Sequence, residues 1–440
     1  MGASDSFATA PRLAIVGGGW AGLAAAVEAV RAGHQVTLFE AARSFGGRAR
    51  TLDVGLPGGG TARLDNGQHV LIGAYRQTLA LMEAVGVDPA AVLHAMPLAL
   101  RDPQGRGLAL PPWPAPLDAA WGIVTARGWS WRERLALLRA AGGWRRAGFR
   151  CASHLTVAAL CEALPARVVR ELVEPLCVSA LNTPVDRASG AVFLRVMRDA
   201  LFGRGWGRWG GSWLLLPQAP LGELLPEAAA RWLTAHGATL RLGHRVSLLV
   251  QSPTGWLVDG DAFESVVLAC PSWDALRLVE DNAIDALAWQ AQARALRHEA
   301  IATVYATGGP RLPAPMLALA SGPDAPAQFV FDRGQLGGPE GLLAFVASAS
   351  RGEREAIEEQ VMAQACALGW DEVRPLRTVV EKRATFACTP GLERPGIAIA
   401  PGLWACGDWV DGPYPATLEG AVLSAQHAVG RLSAMRRTAR

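Results

Sequence analysis

Lysine is almost missing from this 440-residue chain: Lys382 stands alone against 41 arginines. Tyrosine is nearly as rare, with Tyr75, Tyr305 and Tyr414 set against sixteen tryptophans. The arginine bias reads as genomic base composition. The tryptophan excess reads differently, because an apolar ring with one polar handle suits lipid pockets and membrane interfaces. The seven cysteines include no CxxC pair. An odd number in a long chain argues against a disulfide framework or zinc ribbon and fits a reducing compartment. No run of 18 apolar residues occurs, so no transmembrane helix is expected. No basic stretch precedes the first apolar run, which argues against a signal peptide. Charge is sparse as well, at 18% charged against 50% hydrophobic residues. That excludes compositional disorder and allows a large core. A net charge of +3 is too small to suggest a nucleic-acid binder.

Length alone allows two or three domains at roughly 150 residues each. Residues 1–11 read as a lead-in. Leu13–Val16 is a short buried strand, Trp20–Ala32 an Ala-rich helix and Val36–Glu40 a second strand. This βαβ start implies a parallel sheet. Pro111–Pro116 is a breaker cluster leading into an inserted region, and 117–200 is mostly helical by pattern. The Gly-rich stretch Gly203–Gly211 must be loop. Beyond a helix starting at Leu221, strands are expected near Thr239–Leu242, Val246–Val250, Trp256–Val258 and Phe263–Cys270. Leu403–Cys406 is a last strand and Leu418–Leu432 a closing helix.

Gly17-Gly18-Gly19-Trp20-Ala21-Gly22 places G-x-G-x-x-G between the first strand and its helix. Gly17 permits the tight turn, Gly19 lets a pyrophosphate approach the backbone, and Gly22 lets helix and strand pack closely. The helix N-terminus offers free N–H groups and partial positive charge. Glu40, 23 residues after Gly17, can accept hydrogen bonds from ribose hydroxyls. Gly46-Gly47-Arg48 adds close backbone approach and a guanidinium for a second phosphate. Near the end, Gly407-Asp408 supplies an acceptor for a polyol. Pro415–Ala421 opens a helix whose N-terminus can stabilise charge on an electron-rich ring.

Together, RLAIVGGGWAGLAAAVEAVRAGHQVTLFEAARSFGGRA and LWACGDWVDGPYPATLEGAVLSA resemble the flavin-dependent amine oxidase and phytoene desaturase superfamily. Within it, LDNGQHVLIGAY (Leu64–Tyr75) and the Trp- and Arg-rich insert look like the hydroxysqualene dehydroxylase family, also described as squalene-associated FAD-dependent desaturases. The resemblance implies an α/β fold: a Rossmann-like FAD-binding domain of the glutathione reductase type, an inserted α+β substrate domain, and a helical, membrane-facing subdomain. The FAD domain would be discontinuous, over 11–75, 212–271 and 396–440. The substrate domain would take 76–211 and 272–395, with the helical insert at about 117–200.

By the same resemblance, Gly17, Gly19, Ala21, Gly22 and Glu40 bind the ADP half of FAD, with Gly47 and Arg48 beside the pyrophosphate. Asn66, Gly67, Gln68 and His69 line the flavin ring, and Val246 lies on the strand that meets adenine. Gly407, Asp408, Thr417 and Leu418 fall at the ribityl and pyrimidine end. The implied reaction reduces an allylic triterpene alcohol to squalene, in hopanoid biosynthesis, beside two squalene-synthase-like partners. The amine-oxidation alternative is weakened because such oxidases use a lysine near the flavin and a tyrosine-bearing cage, and only Lys382 is available.

Loss of a hydroxyl needs one acid. His69, with Gln68 beside it, is the candidate, because an ordinary imidazole titrates near working pH; the competing reading is that His69 only hydrogen-bonds backbone or flavin. A C30 isoprenoid requires a long apolar tunnel. Between Ala126 and Arg150, seven arginines face one glutamate, a local charge of +6. Trp129, Trp131, Trp144 and Phe149 are interleaved with them. This suits an interfacial helix on anionic lipid, with a solvated face as the alternative. A cytoplasmic protein, peripheral on the inner membrane face and without nucleic acid, is the expectation. Two other functions stay open: a carotenoid-type desaturase moving hydride from lipid to FAD, and an isoprenoid carrier on the same fold.

Overall fold

The computed structural model describes residues 10–56 and 59–438. The expected lead-in therefore lies outside the described residues except for its last two positions. The chain opens as anticipated, with strand Arg12–Val16, helix Trp20–Arg31 and strand Gln35–Glu40. RLAIV carries four fully buried residues in a row, the pattern of a parallel strand covered on both faces. It sits inside a six-stranded sheet, in the order Thr239–Leu242, Gln35–Glu40, Arg12–Val16, Ser265–Leu268, Leu403–Ala405 and Ala398–Ala400. All neighbours in it are parallel except the last pair. The Ala-rich opening helix buries nearly its whole circumference between this sheet and the closing helix Leu418–Thr438. Small side chains allow that approach.

Two strand expectations change. Phe263–Cys270 is not one strand: Asp261–Phe263 joins a small antiparallel sheet, and Ser265–Leu268 joins the main one. At the break, the Glu264 amide donates to the Arg12 carbonyl. Val246–Val250 also shifts, since the strand begins only at Leu249. Asp259 Oδ1 accepts the amides of Ser247 (3.1 Å) and Leu248 (2.8 Å), which takes them out of any ladder.

A second, five-stranded antiparallel sheet runs Met316–Ala318, Phe329–Asp332, Leu343–Ser350, His298–Thr307 and Arg374–Phe386. Strand alternation gives it two different faces. Ala302, Val304 and Ala306 pack under helix Arg354–Ala367. Ile301, Thr303 and Tyr305 point the other way, toward the main sheet's cavity. The packing does not respect a boundary at residue 75. Leu79, Leu81 and Met82 of helix Arg76–Ala84 share the core of the opening helix, and Leu93–Met96 pairs with Leu214–Pro217.

Residues 117–200 are helical as expected, with helices Leu117–Val124, Trp131–Arg146 and Gly190–Phe202 and a near-continuous helical run over 166–181 that carries a π-turn at Val169–Val173. Ser130 and Glu133 form a reciprocal capping box that starts Trp131–Arg146. The cap divides the tryptophans. Trp131 is 70% exposed, whereas Trp129 is buried and donates to Glu171 (2.7 Å). Leu137 is buried too. The exposed apolar face instead gains Trp113, Leu117 and Trp121, from the breaker cluster and the helix after it.

Candidate active site

A cavity of about 640 Å³ runs between the C-terminal ends of the main strands and the antiparallel sheet. It is the crevice where open α/β sheets take ligands. All the residues expected to hold a cofactor or act on substrate line it, with one exception. Gly22 is absent from the wall. A Cβ there would lie 1.8 Å from the Gly17 carbonyl oxygen, so Gly22 serves by letting helix and strand touch.

The phosphate end is built of backbone. Gly17 has φ +113°, open to glycine and strained for other residues. Gly19 caps the opening helix with no side chain bonded to the first turn, which leaves amides free for an anion. Gly47 approaches Gly19 closely across the cavity wall. Glu40 holds the loop from below: its oxygens accept the Gly18 amide (2.6 Å) and the Ala42 amide (2.7 Å). Each oxygen keeps a further lone pair for a ribose hydroxyl. Val246 is buried on this wall, in the turn before its strand, and the neighbouring His244 amide donates to the Glu40 carbonyl (2.9 Å).

Arg48 is already partnered. Its guanidinium pairs with Asp408 and donates to the Ala384 carbonyl (2.5 Å). It thereby ties the two ends of the chain to the antiparallel sheet. Thr417 caps the closing helix, with its hydroxyl accepting from Gly420 (2.9 Å), and Leu418 lines the cavity beside it. Glu419, fully buried in the same turn, caps a different helix by accepting the amides of Gln77 and Thr78 (both 2.9 Å).

The loop Asp65–His69 faces the antiparallel sheet. Gln68 donates to the Tyr305 hydroxyl (2.8 Å), which donates to the Asp65 carbonyl (2.8 Å). Buried Arg333 donates to Gln68 Oε1 (3.3 Å) and to the Pro217 carbonyl (3.2 Å). Both ends of the Gln68 amide are thus fixed, and Gln68 holds the loop. Asn66 accepts from the Arg50 amide (3.1 Å), and Arg50 donates to the Gly47 carbonyl (2.7 Å). Thr303 is 1% exposed, its hydroxyl has no partner, and it faces Gly67. A buried hydroxyl without a partner is costly. Together with the glycine cradle, it fits a group with polar edges laid over this loop.

His69 does not keep the protonation expected of it. Burial pushes its imidazole down to about 4, and the Arg48 guanidinium adds to the effect. The ring is neutral at working pH, so the reason for choosing it as acid disappears. It remains a hydrogen-bonding group on the wall. Asp65 moves the other way: burial raises its carboxyl from 3.8 to about 6, against opposing bonds from Leu221 and Thr51. The unfolded chain loses that proton first, so stability falls as pH rises from about 4 to about 6. The loss amounts to about 3 kcal/mol at most. Asp65→Asn keeps an acceptor for the Leu221 amide. Its melting temperature should match the wild type near pH 4 and exceed it above pH 6.

Several wall residues escaped the sequence reading. Asn182 ends the helix over 166–181 in a left-handed conformation (φ 44°). It donates to Thr385 (2.9 Å) and accepts from the Ala349 amide (2.6 Å). Tyr75 lines the cavity, and Tyr414 packs against it with ring centroids 6.4 Å apart. Of the three tyrosines, Tyr75 is thus on the wall, and Tyr305 and Tyr414 support wall residues from behind. Lys382 is exposed and off the wall, while its neighbour Glu381 is on it.

A family model described as flavin containing amine oxidoreductase matches residues 20–433. The chain belongs to this family. Relatives by sequence likeness include hydroxysqualene dehydroxylases. One from Sinorhizobium fredii is 25% identical over 94% of this chain and 96% of its own length. One from Rhodopseudomonas palustris is 26% identical over the same shares. The fold matches a putative protoporphyrinogen oxidase from Exiguobacterium at TM-score 0.68 and 18% identity, covering 97% of this chain and 99% of that one. The protein is an FAD-dependent oxidoreductase with the flavin amine oxidoreductase architecture, and the carrier alternative falls.

Proposed function

We propose that this flavoenzyme removes the hydroxyl of hydroxysqualene reductively, giving squalene and water within hopanoid-type triterpenoid biosynthesis. The observation that carries the reading is the apolar wall opposite the flavin loop. Val178, Leu181, Ile301, Phe329, Phe331 and Val346 form most of it, a surface suited to a C30 chain. The near full-length likeness to hydroxysqualene dehydroxylases supports the same substrate class. FAD supplies the hydride chemistry when bound. The chain's residues do the rest. Gly17, Gly19 and Glu40 hold the ADP half, and Arg48 and Asp408 hold the middle of the cofactor. Asn66–His69, pinned through Gln68, sets the ring against the apolar wall, which excludes water. In the test, photoreduced holoenzyme is mixed anaerobically with hydroxysqualene. Return of oxidised-flavin absorbance with squalene formed is expected. Bleaching of oxidised enzyme by phytoene, with hydroxysqualene inert, would instead establish a desaturase.

We infer from this substrate class that the enzyme works at a bilayer, supplied by squalene-synthase-like enzymes. Among the described residues no helix is long and apolar enough to cross a membrane. The helical insert offers surface docking instead. Trp113, Leu117, Trp121, Trp131 and Leu135 are all at least 45% exposed, and Arg127, Arg132, Arg139, Arg145 and Arg146 are exposed among and beyond them. Apolar anchors with basic neighbours fit an anionic lipid surface, each arginine contributing about 1 kcal/mol there. The protein should float with phosphatidylserine vesicles at low salt, and serine at Trp113, Trp121 and Trp131 together should release it. Wild-type protein remaining in the soluble fraction would refute docking.

A further inference from the structure

Hydroxide is a poor leaving group, so departure of the hydroxyl requires a proton at its oxygen, and neutral His69 cannot act as an imidazolium. We propose that Glu381 is the proton donor, an assignment that rests on the dehydroxylation reading above. Two observations point to it. On the wall formed by the antiparallel sheet and the helix ending at Leu181, Glu381 is the single titratable side chain among the described residues. Its carboxyl makes no hydrogen bond or ion pair with the described residues, whereas Lys382 beside it is exposed and Arg383 stacks over Trp273 at 4.8 Å.

The register places it. Glu381 is the cross-strand partner of Ile301, and Ile301 is the partner of Ser348 on the next strand. Cross-strand partners share a sheet face. Glu381, Ile301 and Ser348 therefore form one row across three strands, and all three line the cavity. The same face continues along its strand to Thr303 and Tyr305, which meet Gly67 and Gln68. The row thus lies next along that face from the residues that meet the loop that would seat the flavin ring. An irregularity in pairing follows directly, between the Ile301–Glu381 and Glu299–Thr385 pairs, with more residues on the Glu381 strand. Bulges of this kind re-aim side chains beside active sites. This one brings Glu381, Ala384 and Thr385 to the wall together, where strict alternation would drop Ala384. Among the described residues of this wall Glu381 is the one carboxyl group, the side chain able to hand a proton to a substrate oxygen.

The step balances. The carboxyl proton of Glu381 passes to the hydroxyl oxygen. The C–O bond breaks with both electrons leaving on water, and the allylic cation takes a hydride from reduced flavin, which is oxidised. The carboxylate then recovers a proton from solvent.

The test uses Glu381→Gln and Glu381→Asp holoenzymes with wild-type FAD content and visible spectrum. In single turnover with hydroxysqualene, Glu381→Gln should be slower by about 10²–10⁴-fold, and Glu381→Asp should recover part of the rate. The acetate ester of hydroxysqualene leaves without a proton, so both variants should reduce it as fast as wild type. A second readout needs no turnover: squalane binding should bring out the infrared carbonyl band of a protonated carboxyl in wild type and not in Glu381→Gln. Equal slowing on alcohol and ester, no slowing on either, or absence of that band in wild type would overturn the assignment. Wild-type enzyme inert to both substrates would overturn the dehydroxylation reading instead.

Discussion

Gly22→Ala should cost about 3–5 kcal/mol of stability and abolish stoichiometric flavin binding. The added carbon would sit 1.8 Å from the Gly17 carbonyl oxygen, 2.9 Å from its carbonyl carbon and 3.2 Å from Ala269 Cβ. The first two are backbone atoms that no rotamer change can move. Relief requires the opening helix to lift off its strand, but that helix is buried against both the sheet and the closing helix. Overpacking a well-filled core usually costs 1–3 kcal/mol, and backbone-to-backbone conflict belongs to the upper tail of single substitutions. Lifting the helix also moves the Gly19 amides away from the phosphate position. Thermal unfolding and flavin stoichiometry after gel filtration check both parts. A variant with wild-type stability and full flavin content would show that the contact is not tight.

Arg48→Ala should have the next largest effect, with two separable consequences. It leaves the Asp408 carboxylate, 9% exposed, without its ion-pair partner and removes the tie to Ala384. Breaking an enclosed charge pair from one side costs about 2–4 kcal/mol. Arg48→Lys should recover part of this, since an ammonium restores the charge but not the two-pronged geometry. The second consequence is electrostatic. The Arg48 charge depresses both His69 and His298, so its removal should raise the titration of both rings, seen by NMR of the imidazole protons. His69 stays below its ordinary value because burial, the larger cause, persists. The folded wild type holds His69 neutral, and stability is lost as pH falls from 6.5 toward 4. In the variant that loss should shrink.

The parts of the site readable from sequence are those made by neighbours in the chain. VGGGWAG joins a strand, a turn and a helix within a dozen residues, and Glu40 follows at the next strand end. LWACGD and PATLEGA repeat the arrangement near the C-terminus. Their chemistry is local, so spacing reveals it. What was hidden depends on partners far apart in the chain. Gln68 and Tyr305 are 237 residues apart, and nothing near either announces the other. The protonation of His69 depends on how deeply it packs and on Arg48, not on its residue type. Glu381 lies in a polar stretch that reads as an exposed strand, and its cross-strand pairing with Ile301, far away in the chain, is what sets it on the cavity face. Trp129 and Trp131 differ by two positions, yet the capping box between them sends one into the core and the other to solvent. The tyrosine count is legible in the sequence, but not that Tyr75 lines the cavity while Tyr305 and Tyr414 stand behind its wall.

The proposed dehydroxylation requires that hydride move from bound, reduced flavin onto the carbon that loses its hydroxyl. The hydrogen on reduced flavin N5 exchanges with solvent, so one turnover in D₂O labels the transferred atom. Photoreduced holoenzyme should convert hydroxysqualene to squalene carrying a single deuterium at the former carbinol carbon, with one flavin oxidised per squalene formed. Squalene without deuterium, or flavin that stays reduced beside unreacted alcohol, would contradict it.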